Sequence, residues 1–233
     1  MKRLILAFLF SLFVLNGFSQ QVKQNSGWFL FLNSTKFNDK WGMHLDVQLR
    51  SANEWDGLRN FLFRPGVTYY INKNSNATVG YLLTNTFLDQ TGPVGHVLTE
   101  HRIWEQYILM HKIKSVAVQH RFRLEQRFIE AAGDDIFSQR LRYFLRGIIP
   151  LTETKDTFTK GPFAALQNEL FFNVQHKAKL NGKLFDQNRA YGAIGYRFSK
   201  SFDVEAGYLN QFINGAGNNT MNHAIQLALY TRF

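Results

Sequence analysis

Arginines and glutamates set two residues apart have the most chemistry to offer. Arg121, Arg123, Glu125 and Arg127 take alternate positions in one segment, and Arg140, Arg142 and Arg146 keep the same spacing in the next. A period of two places side chains on one face of an extended strand. Glu100, Arg102, Glu169 and Arg189 fall on the matching faces of other segments. A guanidinium is a rigid five-donor fork that stays charged when confined and grips carboxylates or phosphates. The candidate site is therefore a charge network of Arg102, Arg121, Arg123, Arg127, Arg140, Arg142, Arg146, Arg189, Glu100, Glu125 and Glu169. Its chemistry is internal ion pairing or recognition of an anion.

Arginine and lysine are segregated. Twelve of the 14 Arg lie on polar faces of expected strands, whereas all 13 Lys lie in the N-terminal segment, turns or strand ends. Six carboxylates share the polar faces: Asp46, Glu100, Glu125, Glu169, Asp203 and Glu205. A closed network needs near balance, because an unpaired confined charge is costly. The excess of six guanidiniums predicts water, a counter-anion or an anionic ligand inside. On the hairpin expected from 115–129 and 137–150, Glu100, Glu125 and Glu169 compensate three of six arginines and leave about three free. Two readings stay open: a mainly structural interior, and a narrow channel or binding barrel for anionic solutes such as acidic sugars.

Other chemistry is sparse. The absence of Cys excludes disulfides, thiolate metal sites, Cys nucleophiles and a lipidated Cys. The seven His are dispersed, so no metal is expected. His44 and Asp46 share a face, but no Ser joins them in sequence, so no catalytic residue is assigned. A lipid or peptide hydrolase at the barrel rim is a lesser alternative. Gly215-Ala216-Gly217 opens no helix, so no phosphate loop and no cofactor are expected. The net charge of +10 invites a nucleic-acid reading, which conflicts with inward arginines and with export; no nucleic-acid partner is expected.

The elements that must hold these residues are strands. Trp41, Met43, Leu45, Val47 and Leu49 alternate with polar or small residues, as do Ile225, Leu227 and Leu229 near the end. The alternation predicts about 11 strands, near 28–34, 41–51, 59–71, 77–87, 97–110, 115–129, 137–150, 163–174, 185–198, 202–213 and 221–233. Many are long enough for a tilted membrane crossing, and the polar face is too charged for a sandwich core. The expected fold is all-β: a single closed antiparallel transmembrane β-barrel of 10–12 strands. Short turns at 36–40, 72–76, 111–115 and 199–201 and longer loops at 88–96, 130–136, 175–184 and 214–220 mark its two ends. Single-chain bacterial barrels have even strand counts, which favours 10 or 12. Pro65 suggests a bulge or edge. Glu105 falls on the lipid face unless a bulge turns it inward.

Met1-Lys2-Arg3, the apolar run Leu4–Leu15 and small residues Gly17 and Ser19 have the plan of a secretory signal peptide cut near Ser19/Gln20. The expected organisation is a signal peptide, 1–19, and an outer-membrane barrel domain, 20–233. Expected partners are outer-membrane lipid and, through the terminal aromatic Phe233, the barrel assembly machinery; an anionic solute is a further candidate.

Five motifs occur together in order: Glu100-His101-Arg102-Ile103-Trp104-Glu105-Gln106, His120-Arg121-Phe122-Arg123-Leu124-Glu125-Gln126-Arg127-Phe128, Arg140-Leu141-Arg142-Tyr143, Asn168-Glu169-Leu170-Phe171 and Gln187-Asn188-Arg189. They resemble the domain of unknown function 2490, found in Gram-negative outer-membrane-type proteins, over about residues 26–233. The resemblance implies an exported β-barrel and carries over no reaction, ligand or partner.

Overall fold

The computed structural model describes residues 21–88, 97–131, 135–153 and 157–233. The expected signal peptide and cleavage point, most of the 88–96 loop and the turn at Gly133-Asp134 lie outside the described residues.

Among the described residues eleven strands follow one another: β1 Gln21–Lys36, β2 Trp41–Ser51, β3 Leu58–Asn72, β4 Ser75–Phe87, β5 Val97–Ile113, β6 Val116–Ile129, β7 Ile136–Pro150, β8 Gly161–Gln175, β9 Phe185–Ser199, β10 Phe202–Ile213 and β11 Asn219–Arg232. They form one closed barrel in which each strand pairs antiparallel with its chain neighbours. Closure differs from expectation. The count is 11, not 10 or 12, and β1 pairs with β11 in parallel, from Gln21↔Asn219 to Ser34↔Arg232. In an up-and-down meander with an odd number of strands, the first and last run the same way. The seam must then use the evenly spaced, slanted bonds of a parallel ladder.

β1 also starts well before the expected position 28, because Gln21–Gly27 shows no apolar alternation. Its upper part is held from outside the barrel. The β1–β2 ladder ends at Trp28↔Arg50. Beyond it the Gly27 N–H donates to Ser51 Oγ and the Asn25 N–H to Asn53 Oδ1, both at 2.8 Å. The Trp55 ring of that loop lies where a Cβ on Gly27 would stand, so only glycine admits it. At the other end, the Phe233 N–H donates to Ser34 O at 2.9 Å and Lys36 N–H donates to Phe233 O. The short turns 37–40, 73–74, 114–115 and 200–201 share an end with Phe233, and Gln21 lies at the opposite end with 52–57, 176–184 and 214–218. The segment 151–160 adds no strand among its described residues.

Pro65 causes no bulge. Register runs unbroken from Phe63↔Leu83 to Gly66↔Gly80, and the ladder to β4 merely skips Arg64 and Pro65. Glu105 is not turned inward either, since β5 pairs with β4 and β6 without a register shift. It stays on the outer face, where Gln126 Nε2 donates to it at 3.1 Å.

Polarity is inverted relative to a water-soluble domain. Ile194 is 62 % exposed, Leu166 59 % and Val67 57 %, whereas Arg123 is 1 % and Glu125 0 %. Outward aromatics gather at both ends. Trp41–Tyr69 (5.0 Å) and Tyr196–Phe198 (4.9 Å) lie near the short turns; Phe128–Phe137 (5.2 Å) and Phe185–Phe212 (6.2 Å) lie near the long loops. Three outward histidines satisfy themselves on tyrosines of adjacent strands, His101 on Tyr81, His120 on Tyr143 and His223 on Tyr208, and His111 stacks on His120. Inside, Trp104 packs with Leu62 and Leu82 and occupies the slot left by Gly66 and Gly80.

Candidate functional site: the arginine-rich lumen

Pairing of β6 with β7 sets Arg123 opposite Arg142 and Glu125 opposite Arg140. Both faces point into the barrel. Glu125 is the centre of the network: it accepts from Arg140 at 2.8 Å, Arg142 at 2.5 Å and Arg102 at 3.5 Å. Glu169 of β8 accepts from Arg142 at 2.7 Å and Arg121 at 2.6 Å. Glu100 of β5 holds Arg102 at 2.7 Å and Arg127 at 2.6 Å. Arg146 reaches Glu205 across the barrel at 2.5 Å, and Tyr230 donates to the same carboxylate at 2.8 Å. Nearer the short turns, Asp203 binds Arg197 at 2.8 Å and Arg232 at 2.6 Å.

Two details depart from expectation. A seventh inward carboxylate, Asp186, binds Arg140 at 3.0 Å. It faces inward because the β8–β9 register slips between Phe171 and Phe172, leaving Asp186 opposite no residue of β8. A bulged residue can share the face of its neighbour. Next, the expected surplus of about three on the β6–β7 hairpin shrinks to Arg123 alone, because Glu100, Glu125 and Glu169 each serve two or three guanidiniums and Glu205 takes Arg146. The other arginines without an ion pair among the described residues and facing inward are Arg189, of the expected set, and Arg50, outside it.

These three share a feature that charge counting does not reveal: each stands on a tryptophan. Arg123 lies 4.6 Å from the Trp104 ring centre, Arg50 3.9 Å from that of Trp28, and Arg189 5.2 Å from that of Trp28. An indole face attracts a cation, by about 2 kcal/mol when both are desolvated, and so partly stands in for a carboxylate. It satisfies no N–H, however. Arg50 Nε, Arg189 Nε and one terminal nitrogen of Arg123 are buried without a hydrogen-bond partner among the described residues. The remaining bonds of these arginines are to neutral amides: Gln48 at 2.5 Å, Gln187 at 3.3 Å and Gln106 at 2.7 Å. His44 stacks edge-on against Trp104 at 5.5 Å, while Asp46 is turned to Arg64 and Gln48.

Two cavities meet at Trp28 and Arg50. A vestibule of about 630 Å³ at the long-loop end is lined by Ser26, Asn53, Arg59, Asn60 and Gln211. A chamber of about 330 Å³ reaches from Arg50 and Arg189 down to Ser34, Tyr70 and Met110 near the short turns. Trp28 and Arg50 border both.

A family model described as a protein of unknown function (DUF2490) matches residues 25–222. The chain belongs to this family. No curated protein and no solved structure matches it. The family match spans most of β1 to the first residues of β11, and with them all eleven residues of the expected charge network. Trp28 and Arg50 were absent from the expected site. Arg50 showed only as one inward arginine among twelve, and nothing in the sequence sets it against Trp28 of the preceding strand.

Proposed function

We propose that this chain is an outer-membrane β-barrel that crosses the bilayer on its strands and takes an anionic solute into an arginine-rich lumen. The observation that carries the placement is the inverted polarity: aliphatic and aromatic side chains are exposed around the barrel, and the guanidinium–carboxylate network is buried within. Lipid demands a closed hydrogen-bonded sheet with an apolar outside, and aromatic bands suit its two interfaces. The shortest strand has 11 residues, enough for a tilted crossing. The N-terminal segment 1–19 supplies export, and Phe233 supplies the terminal aromatic for the assembly machinery.

The solute role follows from the three arginines that have tryptophan in place of carboxylate. Between channel and binding barrel, the partition of Trp28 and Arg50 between the two cavities favours binding. Membrane fractionation tests the placement. The mature protein should stay with outer membranes after carbonate washing and migrate faster on gels before boiling than after. Recovery in the soluble periplasmic or cytoplasmic fraction would refute it.

A further inference from the structure

We infer that the chamber is a site for an amphipathic organic anion, with its carboxylate on Arg50 and Arg189 and an apolar body below. This rests on the anion-binding reading above and names the ligand class. The head site is formed by two guanidiniums from β2 and β9 that meet at one indole, 3.9 and 5.2 Å from its centre. Both keep a buried N–H without a partner among the described residues. A carboxylate there would accept charge-assisted hydrogen bonds and relieve the repulsion between two cations that make no ion pair among the described residues.

The body site is set by residues that a purely ionic lumen does not need. Toward the short turns the inner face carries Leu30 and Leu32 of β1, Ile108 and Met110 of β5 and Ile148 of β7. Met110 is 38 % exposed although it faces inward. Several polar groups along the chamber are already engaged: Gln106 with Arg123, Gln167 with Arg146, Thr78 with Thr68 and Tyr230 with Glu205. An acidic sugar would bring hydroxyls against aliphatic carbons, whereas an alkyl or aryl carboxylate matches both ends. At about 330 Å³ the chamber is at the small end for ligand pockets, room for one short chain or ring.

The test is calorimetric titration of the full mature chain in lipid nanodiscs with octanoate, octanol and glucuronate. Octanoate should bind one site, with octanol and glucuronate each at least about tenfold weaker. Arg50→Gln/Arg189→Gln should weaken octanoate about 100-fold, two charged hydrogen bonds being lost. Because that variant removes cations that make no ion pair among the described residues, it should keep the heat-modifiable mobility of the folded barrel. The wild-type ligand series needs no variant at all. Octanol binding as tightly as octanoate, glucuronate binding more tightly, no octanoate binding at millimolar concentration, or a folded double variant that binds like wild type would each overturn the inference. Membrane fractionation separates the two claims. A protein that stays with outer membranes and ignores octanoate refutes the ligand class alone, and a soluble protein that binds octanoate refutes the placement alone.

Discussion

Glu125 has no exposed surface and answers to Arg102, Arg140 and Arg142. Neutralising it leaves each of them one carboxylate, Glu100, Asp186 and Glu169 respectively, in a confined space where removing one partner of a buried ion pair costs up to about 3–5 kcal/mol. Glu125→Gln should therefore lower the unfolding free energy of the barrel by up to that amount and its urea midpoint with it, measured by urea titration of heat-modifiable mobility. Glu105→Gln, on the outer face with only Gln126 as partner among the described residues, should leave the midpoint unchanged or raise it. Equal losses in both variants would show that the interior network is not what makes Glu125 costly to replace. At this scale the sequence was legible where period-two alternation holds: it places Arg121, Arg123, Glu125 and Arg127 inward, as the structure has them. Asp186 escaped because a bulge breaks the alternation, and the Trp28–Arg50 stack escaped because it depends on register between strands.

The strands themselves were nearly all legible, and β2 and β10 have the expected limits. The alternation of β2 is uninterrupted and that of β10 breaks only at Leu209-Asn210; Asn- and Gly-bearing segments bound β2 on both sides and follow β10. The closure was not legible. A rule favouring even counts outweighed a direct count of 11, and nothing local marks Gln21–Gly27 as strand. Those residues are extended because β11 and the 52–57 loop supply their partners, a non-local cause. The seam gives a sharp prediction in this Cys-free chain. Phe29 and Leu227 are paired across it, within the Cα separation that a disulfide spans. Phe29→Cys/Leu227→Cys should cross-link under mild oxidant, read as a mobility change on non-reducing gels. Phe29→Cys/Val204→Cys, two strands apart, should not. Cross-linking of the second pair alone would refute the parallel closure.

For the whole molecule, an apolar exterior and an ionic interior are two consequences of one alternation, and a bilayer is the solvent that rewards both. An odd barrel adds a geometric consequence: Gln21 and Phe233 sit at opposite ends, so the chain enters the barrel at the long-loop end and leaves it at the short-turn end. Longer loops outside the cell and short turns in the periplasm would put the vestibule outward and the chamber mouth inward. One measurement tests bilayer spanning and orientation together: labelling of single cysteines on intact cells with a membrane-impermeant maleimide. Lys179→Cys lies in the long loop between β8 and β9, and Lys73→Cys in the short turn between β3 and β4. Lys179→Cys should label on intact cells and Lys73→Cys only after the outer membrane is permeabilised. Equal labelling of both positions on intact cells, or of neither until permeabilisation, would contradict a barrel that spans the outer membrane in this orientation.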